Sequence, residues 1–357
     1  MIHQRLQRLR AKLDELNLPG LMVASPDNRR YLSGFAGSAG CLFISRDQAL
    51  LVTDFRYVEQ AGLQAPGFEV VRLDEDLSDH LAELVGRLGV SRLGFEAAHL
   101  TFGTHETLSG KANEAGLELV PTRNLVEDLR VVKEPAELAQ IGEAVRLADE
   151  AVVAAIAGLE PGMTEREVAW GIERYIREHG GDGLSFDTIV AAGPHGALPH
   201  WHPSDHAIAA GEPVVLDLGA RVGGYCSDLT RTVVVGQPDD QFRRVYEIVL
   251  SAQRAAEEAI TGGMPGKEAD AIARQIITDA GHGDHFGHGL GHGVGLAVHE
   301  APRLSRLSKD TLLEGTVVTV EPGIYLSGWG GVRIEDMVVV EGSGCRILSQ
   351  APKLEVP

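Results

Sequence analysis

Two segments of this chain set paired carboxylates into what reads as a β-hairpin, and that limits what it can fold into. Asp217 ends the apolar run PVVLDLG and Asp228 opens the return run DLTRTVVV, with Gly223-Gly224 midway. Glu321 ends TVVTVEPG and Glu335 sits in GVRIEDMVVV, with Gly328 midway. A hairpin closed at those glycines places each pair across the ladder on one side of the sheet. Like charges directly opposite one another destabilise a sheet. Two such pairs in one domain therefore require raised carboxyl pKa values or a cation cluster between them.

The rest of the chain supplies a setting for the hairpins. Residues 1 to 130 alternate short apolar runs with helical stretches. The runs are LMVAS (21–25), CLFIS (41–45), ALLVTD (49–54), EVVRL (69–73) and LELV (117–120), with helices starting near Gln4, Phe55, Ser78 and His105. This alternation predicts an α/β domain. The polar, proline-bounded stretch 121–135 reads as a connection to a second domain, 131–357. That domain opens with a long helix from Pro135, followed by GLEPGMTEREVAWGIERYIREHGG (158–181), where Thr164 and Glu167 have capping-box spacing and Gly180 suits a stop. A helix over 240–260 and TGGMPGKEADAIARQIITDAGHG (261–283) repeat the arrangement. Each copy is followed by one acid-bearing hairpin. An internal duplication results, an α+β domain with a curved antiparallel sheet and helices on its outer face.

Histidines are the second signal. His282, His285, His288, His292 and His299 fall within 281–300, and His195, His200, His202 and His206 within 191–206. Any one of them alone reads as an exposed loop residue. Clustered among glycines, they can approach a ligand closely. Carboxylates with a single imidazole make a hard, oxygen-rich site, which favours Mn²⁺, with Co²⁺, Fe²⁺ or Zn²⁺ as alternatives. Four carboxylates exceed the needs of one divalent ion. They suit two, roughly 3.5–4 Å apart, with a bridging hydroxide as nucleophile.

With those residues in view, VVLDLGARVGGYCSDLTRT, HGLGHGVGLAVHE, VVTVEPGIY and GVRIEDMVVV resemble the metal-site motifs of the pita-bread metallopeptidases, and in particular the Xaa-Pro peptidases, proline dipeptidase and aminopeptidase P. NRRYLSGFAGSAG and LVTDFRY resemble the creatinase-like N-terminal domain of the same enzymes. The resemblance implies a C-terminal pita-bread domain of the creatinase and methionine-aminopeptidase type behind an N-terminal α/β creatinase-like domain. It also implies roles. Asp217 would chelate one metal, Asp228 and Glu335 would bridge both, and His292 and Glu321 would complete the second. His200 and His299 would hold the scissile carbonyl and handle protons, with Glu321 as proton shuttle. His288 and Arg333 would support the site, Arg333 by orienting carboxylates. A homodimer is implied as well. Because all five ligands are intact, a metal-free creatinase reading is disfavoured. The added N-terminal domain and the context of His200 disfavour methionine aminopeptidase.

Two activities remain, and both act on short proline-containing peptides. A dipeptidase must neutralise the carboxylate of the proline, which a guanidinium does well. Arg303, four residues after His299, resembles an arginine with that task in some short microbial prolidases. GFAGSAG instead resembles aminopeptidase P, which removes the residue before proline from longer peptides. The dipeptidase is favoured. A non-catalytic binding protein on the same fold is a further alternative, disfavoured because such proteins lose their ligands. The net charge of -19 argues against nucleic acid and anionic membranes as partners. No apolar run is long enough to span a bilayer and no signal peptide is evident. Cys41, Cys226 and Cys345 form neither a ligand pattern nor a disulfide framework. A cytoplasmic enzyme is expected.

Overall fold

The amphipathic pattern at the start of the chain folds as the helix Ile2–Glu15, which buries Leu6, Leu9 and Leu13. In the computed structural model, which describes residues 1–354, the chain divides into two units, Met1–Arg130 and Val131–Pro357. The first is built on a six-stranded sheet of β1 (Gly20–Val23), β2 (Cys41–Ser45), β3 (Ala49–Thr53), β4 (Glu69–Arg72), β5 (Arg92–Glu96) and β6 (Glu118–Thr122). Its order is β4-β3-β2-β1-β5-β6. The pairs β1–β5, β5–β6 and β3–β4 are parallel, and β1–β2 and β2–β3 antiparallel. The central strands β1 and β2 are buried along their whole length. Strands covered on both faces read as unbroken apolar runs, which is why they were legible.

Two elements of this unit escape the sequence pattern. The helix Pro26–Ser33 is rich in polar residues, yet Asn28 and Arg29 are buried. Asn28 donates to Glu96 at 2.6 Å and to Glu127 at 2.8 Å, and accepts from Arg130 at 2.6 Å. Arg29 donates to the carbonyls of Gly37 and Gly40. The charged ends of β5 conceal a buried centre, where a Cβ on Gly94 would lie 2.5 Å from the Leu18 side chain. The stretch predicted as a connection is partly structured, since it contains the end of β6 and the helical turn Glu127–Arg130.

In the second unit all strand pairs among the described residues are antiparallel. The helix Pro135–Ala157 starts at a Glu134/Glu137 capping box, and Glu165–Glu178 at the Thr164/Glu167 box. These helices pack Leu147, Val152, Val168 and Ile172 against Val190, Val214 and Leu216 of the strands Ile189–Ala192 and Pro213–Leu218. The helices Asp240–Ala259 and Gly266–Asp279 pack Val245, Val249, Ala273 and Ile277 against Val318, Val320 and Val338 of the strands Val317–Val320 and Asp336–Glu341. Backbone hydrogen bonds repeat between the halves. Gly162 donates to Ile208 at 2.8 Å and Gly263 to Leu312 at 2.7 Å; Ile208 donates to Met163 at 2.8 Å and Leu312 to Met264 at 2.9 Å. Gly211 donates to Val235 at 2.8 Å and Gly315 to Val340 at 2.9 Å. The fold is an α/β domain followed in sequence by a mixed α+β pita-bread domain. No helix among the described residues is long and apolar enough to cross a membrane.

The hairpin registers refine the opening expectation. Val222 pairs with Tyr225 across Gly223-Gly224, whose φ values of 57° and 82° are those a tight two-residue turn demands. That register sets Asp217 opposite Thr230, not Asp228. Asp228 lies two residues before Thr230, so the two acids are diagonal neighbours on one face rather than directly opposed. In the second hairpin, the pairs Val320↔Asp336 and Gly323↔Arg333 set Glu321 level with Glu335, in a gap between two ladders. The halves meet there. Glu335 N–H donates to the Thr230 carbonyl at 3.1 Å, and the Thr232 hydroxyl to the Arg333 carbonyl at 2.8 Å. Close by, a Cβ on Gly331 would lie 2.0 Å from the Gly196 carbonyl oxygen. Gly331→Ala is expected to lower unfolding stability by about 1–3 kcal/mol through overpacking, checked by urea titration at equilibrium.

Candidate metal centre and substrate cavity

Asp217 reaches the site from near the end of a paired strand, opposite both Thr230 and Ile189, whereas Asp228, Glu321 and Glu335 each sit one residue beyond the end of a strand. A cavity of about 440 Å³ is lined by Asp217, Asp228, His292, Glu321 and Glu335, together with His200, His288, His299, Arg303 and Arg333. All ten sequence-predicted site residues thus share one cavity. Ligand atoms of Asp217, Asp228 and Glu335 lie within 4.8 Å of one another. His292 Nε2 is 3.3 Å from Glu321 Oε1 and 3.6 Å from Asp228 Oδ2. A larger cavity, about 650 Å³, lies in the first unit, but Asp54, Glu75 and Asp76 are its acids and no histidine is among its lining residues.

The centre fits divalent cations on two observations. Asp217 Oδ1 and Glu335 Oε1 are buried with no hydrogen-bond partner among the described residues. A buried carboxylate oxygen without a donor is costly, and a cation is the natural partner for it. Second, the carboxyls are driven toward their neutral forms. Burial, then the charges of Glu335 and Asp217, pushes Asp228 well above the usual carboxylate range. Burial, then Glu321 and Asp217, does the same to Glu335. Burial pushes Glu321 up to about 7. It also raises Asp217, although Arg333 opposes the rise. His292 is pushed down to about 3 by burial and by His299, and so presents a neutral imidazole. Such a set holds protons without a cation and would surrender them to one.

The surroundings orient these groups. Arg333 Nη2 donates to Asp217 Oδ2 at 2.5 Å, its Nε to the Thr230 hydroxyl at 3.1 Å, and its Nη1 to the Tyr325 hydroxyl at 3.0 Å. The Thr230 hydroxyl donates in turn to Glu335 Oε2 at 2.7 Å. One guanidinium therefore steadies acids from both hairpins. The Thr319 hydroxyl bridges the His292 N–H and Glu321 Oε1, each at 3.1 Å. Tyr325 OH also meets His288 Nε2 at 2.8 Å, and His288 Nδ1 lies 4.0 Å from Glu321 Oε2. Burial, then Arg333, lowers His288 to about 4. The buried pair Asp270–Arg274 fixes the His288 segment, with Arg274 donating to the carbonyls of Phe286 at 2.8 Å and His288 at 2.6 Å. Sequence reasoning assigned no role to Thr230, Thr319, Tyr325, Asp270 or Arg274. Thr230, in DLTRT beside Asp228, and Thr319 and Tyr325, in VVTVEPGIY around Glu321, lay within motifs already singled out, whereas Asp270 and Arg274 did not.

The mouth of the cavity is less constrained. His200 and His299 are exposed, and the His299 ring centroid is 4.2 Å from that of His292. Arg303 sits opposite His292 in the pairing of Gly291–Gly293 with Glu300–Leu304, with its side chain exposed. Glu300, next to His299, forms a buried ion pair with Lys133 at 3.2 Å. Phe186, Ile189, Pro199 and Trp201 make the apolar wall. His282 and His285 lie elsewhere, their Nδ1 atoms 3.4 Å apart near the surface.

A buried acid cluster with one imidazole, at the seam of a duplicated antiparallel domain, defines a metallopeptidase. A family model for Metallopeptidase family M24 matches residues 139–342, and one for the Creatinase/Prolidase N-terminal domain matches residues 5–132. The chain belongs to metallopeptidase family M24. It is 46% identical to Uncharacterized peptidase YqhT of Bacillus subtilis, over 98% of both chains. Among solved structures, the Xaa-Pro dipeptidase from Bacillus anthracis matches with a TM-score of 0.96 and 42% identity over 99% of each chain. The X-Pro aminopeptidase from Thermotoga maritima matches at 0.91 and 36% over 98% of each chain.

The raised carboxyls predict how the metal-free protein responds to pH. A buried acid whose folded pKa exceeds its unfolded value stabilises the native state while protonated, and that stability is lost as pH rises through the folded pKa. For Glu321 the loss begins above its unfolded value and ends as pH passes through about 7, and Asp228 and Glu335, held well above the usual carboxylate range, lose stability in the same direction. The chelator-treated protein is therefore expected to melt at lower temperature as pH rises through about 7 to 8, where the depressed histidines are mostly neutral in both states. Saturating Mn²⁺, at about 100 times its Kd, should restore about 2.7 kcal/mol. Glu335→Gln should flatten the metal-free decline and weaken the rescue. Calorimetry with and without chelator measures both.

Proposed function

We propose that the chain is an Xaa-Pro dipeptidase using two divalent ions, Mn²⁺ by preference, with residues 1–130 and 131–357 as its domains and a homodimer as its working form. The observation that carries the reading is the placement of Arg303 on the same cavity as the acid cluster, His200 and His299. A guanidinium at the mouth can take the carboxylate of a proline one residue past the scissile bond, which limits the substrate to a dipeptide. The Xaa-Pro dipeptidase relative supports this reading. The X-Pro aminopeptidase relative supports the alternative, in which longer peptides enter.

Roles follow from reach. Asp217 would hold one ion, His292 and Glu321 the other, and Asp228 and Glu335 both. When bound, the ions supply Lewis acidity and lower the pKa of the attacking water. Glu321 would take that water's proton on a carboxylate oxygen and give it to the proline nitrogen as the C–N bond breaks. His200 and His299 would donate to the oxygen of the former carbonyl. Neutral His288 and the Arg333–Tyr325 pair would keep Glu321 and Asp217 in place. An X–Pro bond offers no N–H to a strand-type recognition edge, so recognition would fall to the cavity walls.

The test compares an Xaa-Pro dipeptide with the same peptide carrying one further residue, in Mn²⁺-loaded wild type and Arg303→Ala. We expect the dipeptide to be preferred, and its kcat/KM to fall about 10–150-fold in the variant, the value of one charged hydrogen-bond pair. Efficient cleavage of the longer peptide, with Arg303→Ala silent, would establish the aminopeptidase instead. No cleavage of either would sink both readings.

A further inference from the structure

The cavity wall that bears His200 has no regular structure. Residues 198–206 form neither helix nor strand, and the segment ends in a single bridge between Ala207 and Thr164. Something other than a ladder must hold it. Glu165, with no exposed surface, opens the helix Glu165–Glu178 directly behind it. Its Oε1 accepts from Ala192 N–H at 2.9 Å and meets His195 Nδ1 at 2.8 Å. Its Oε2 accepts from Trp201 Nε1 at 2.9 Å, Ser204 N–H at 3.0 Å and the Ser204 hydroxyl at 2.7 Å. These partners bracket His200 on both sides. A carboxylate has about four lone-pair positions, so this one is saturated. Burial alone would lift its pKa, but the bonds from Ala192, Ser204, Trp201 and His195 reverse that and hold it below the usual value.

The helix backbone joins in. Glu165 N–H donates to the His206 carbonyl at 3.2 Å and Arg166 N–H to Ser204 at 3.1 Å, so the loop caps the first turn of the helix. A negative charge there is also favoured by the helix dipole. Trp201, hung from Glu165, stacks on His195 with ring centroids 3.9 Å apart and lines the cavity. In the second half of the domain the position matching Glu165 is Gly266, where a Cβ would lie 2.3 Å from the Arg303 carbonyl. The acid is therefore no requirement of the repeated fold.

We propose that Glu165 is a positioning residue for the reaction, a buried anionic hub that fixes the loop carrying His200 and the Trp201 wall. This rests on the assignment of His200 to the scissile carbonyl. Glutamine at this position keeps the shape but offers one acceptor atom and turns two donors toward donors. Glu165→Gln, as full-length Mn²⁺-loaded protein, is expected to lose about 100-fold in kcat on an Xaa-Pro dipeptide, the scale of a 1 Å misplacement, with metal content unchanged. The emission of Trp201, taken as the difference between each protein and its Trp201→Phe counterpart, should shift in the same variant. Ser204→Ala, which removes one rim donor and leaves the buried charge, should move both readouts the same way by less. Activity lost in step with metal content, or lost with Trp201 emission unmoved in both variants, would overturn the proposal. If wild type cleaves no Xaa-Pro peptide, the reading of the reaction falls, and Trp201 emission still decides what Glu165 holds.

Discussion

The guanidinium of Arg333 is the pivot of the catalytic unit. It is buried among four carboxylates, and although burial opposes its charge, Tyr325, Asp217 and Glu321 hold it well above its ordinary pKa. Fully ionised, the four acids and this arginine would carry a net charge of about -3, which a low-dielectric interior cannot sustain. Either protons or divalent cations must supply the difference. The orphaned oxygens of Asp217 and Glu335 lie on the cation-accepting side, while their other oxygens are held by Arg333 and Thr230. Each acid thus has one oxygen committed to the protein and one left over. That division keeps a metal-binding cluster in shape while it holds no metal.

Much of this was legible because the site is written locally. The hairpin acids sit beside glycines whose turns fix the register, and His292 and His299 lie in one glycine-rich run. Two limits were physical. Side-chain period says which face an acid occupies, but not the register along the ladder. Asp217 and Asp228 were therefore placed on the correct face but two residues out, opposite Thr230 and Gly219. The supporting residues depend on partners far away in sequence. Arg333 reaches Thr230 and Asp217, and Glu165 gathers donors from 192 to 204. Spacing does not encode such pairs. Pro26–Ser33 failed for the same reason, because Asn28 and Arg29 look like surface residues until Glu96 and the carbonyls of Gly37 and Gly40 are placed beside them.

Duplication explains where the site lies, and divergence explains what it can do. Matching backbone hydrogen bonds at Gly162 and Gly263, and at Gly211 and Gly315, show that the scaffold was kept in both halves. The side chains on it were not. Where the first half has Glu165 behind the His200 loop, the second has Gly266 packed on the backbone of Arg303. The second half braces His288 through Asp270 and Arg274 instead. Symmetry brings two hairpins to one seam. Asymmetry gives one wall a histidine loop and the other an arginine.

The seam is also held from behind. Arg231, on the strand Leu229–Val234, points away from the cavity and is 2% exposed. It pairs with Asp336 at 2.7 Å and donates to the carbonyls of Thr230 at 2.9 Å, Glu335 at 2.5 Å and Ala351 at 2.7 Å. Asp336 is shared with Lys353 at 2.6 Å. A buried ion pair of this kind adds little net stability, because desolvation offsets the attraction, but removing one partner is costly. Its effect here is geometric. Arg333 and Thr230 fix the side chains of Asp217 and Glu335, and Arg231 fixes the backbone that carries Glu335. Consecutive side chains of one strand, Thr230 and Arg231, thus grip Glu335 from opposite faces of the sheet, so a shift of the seam moves both grips together.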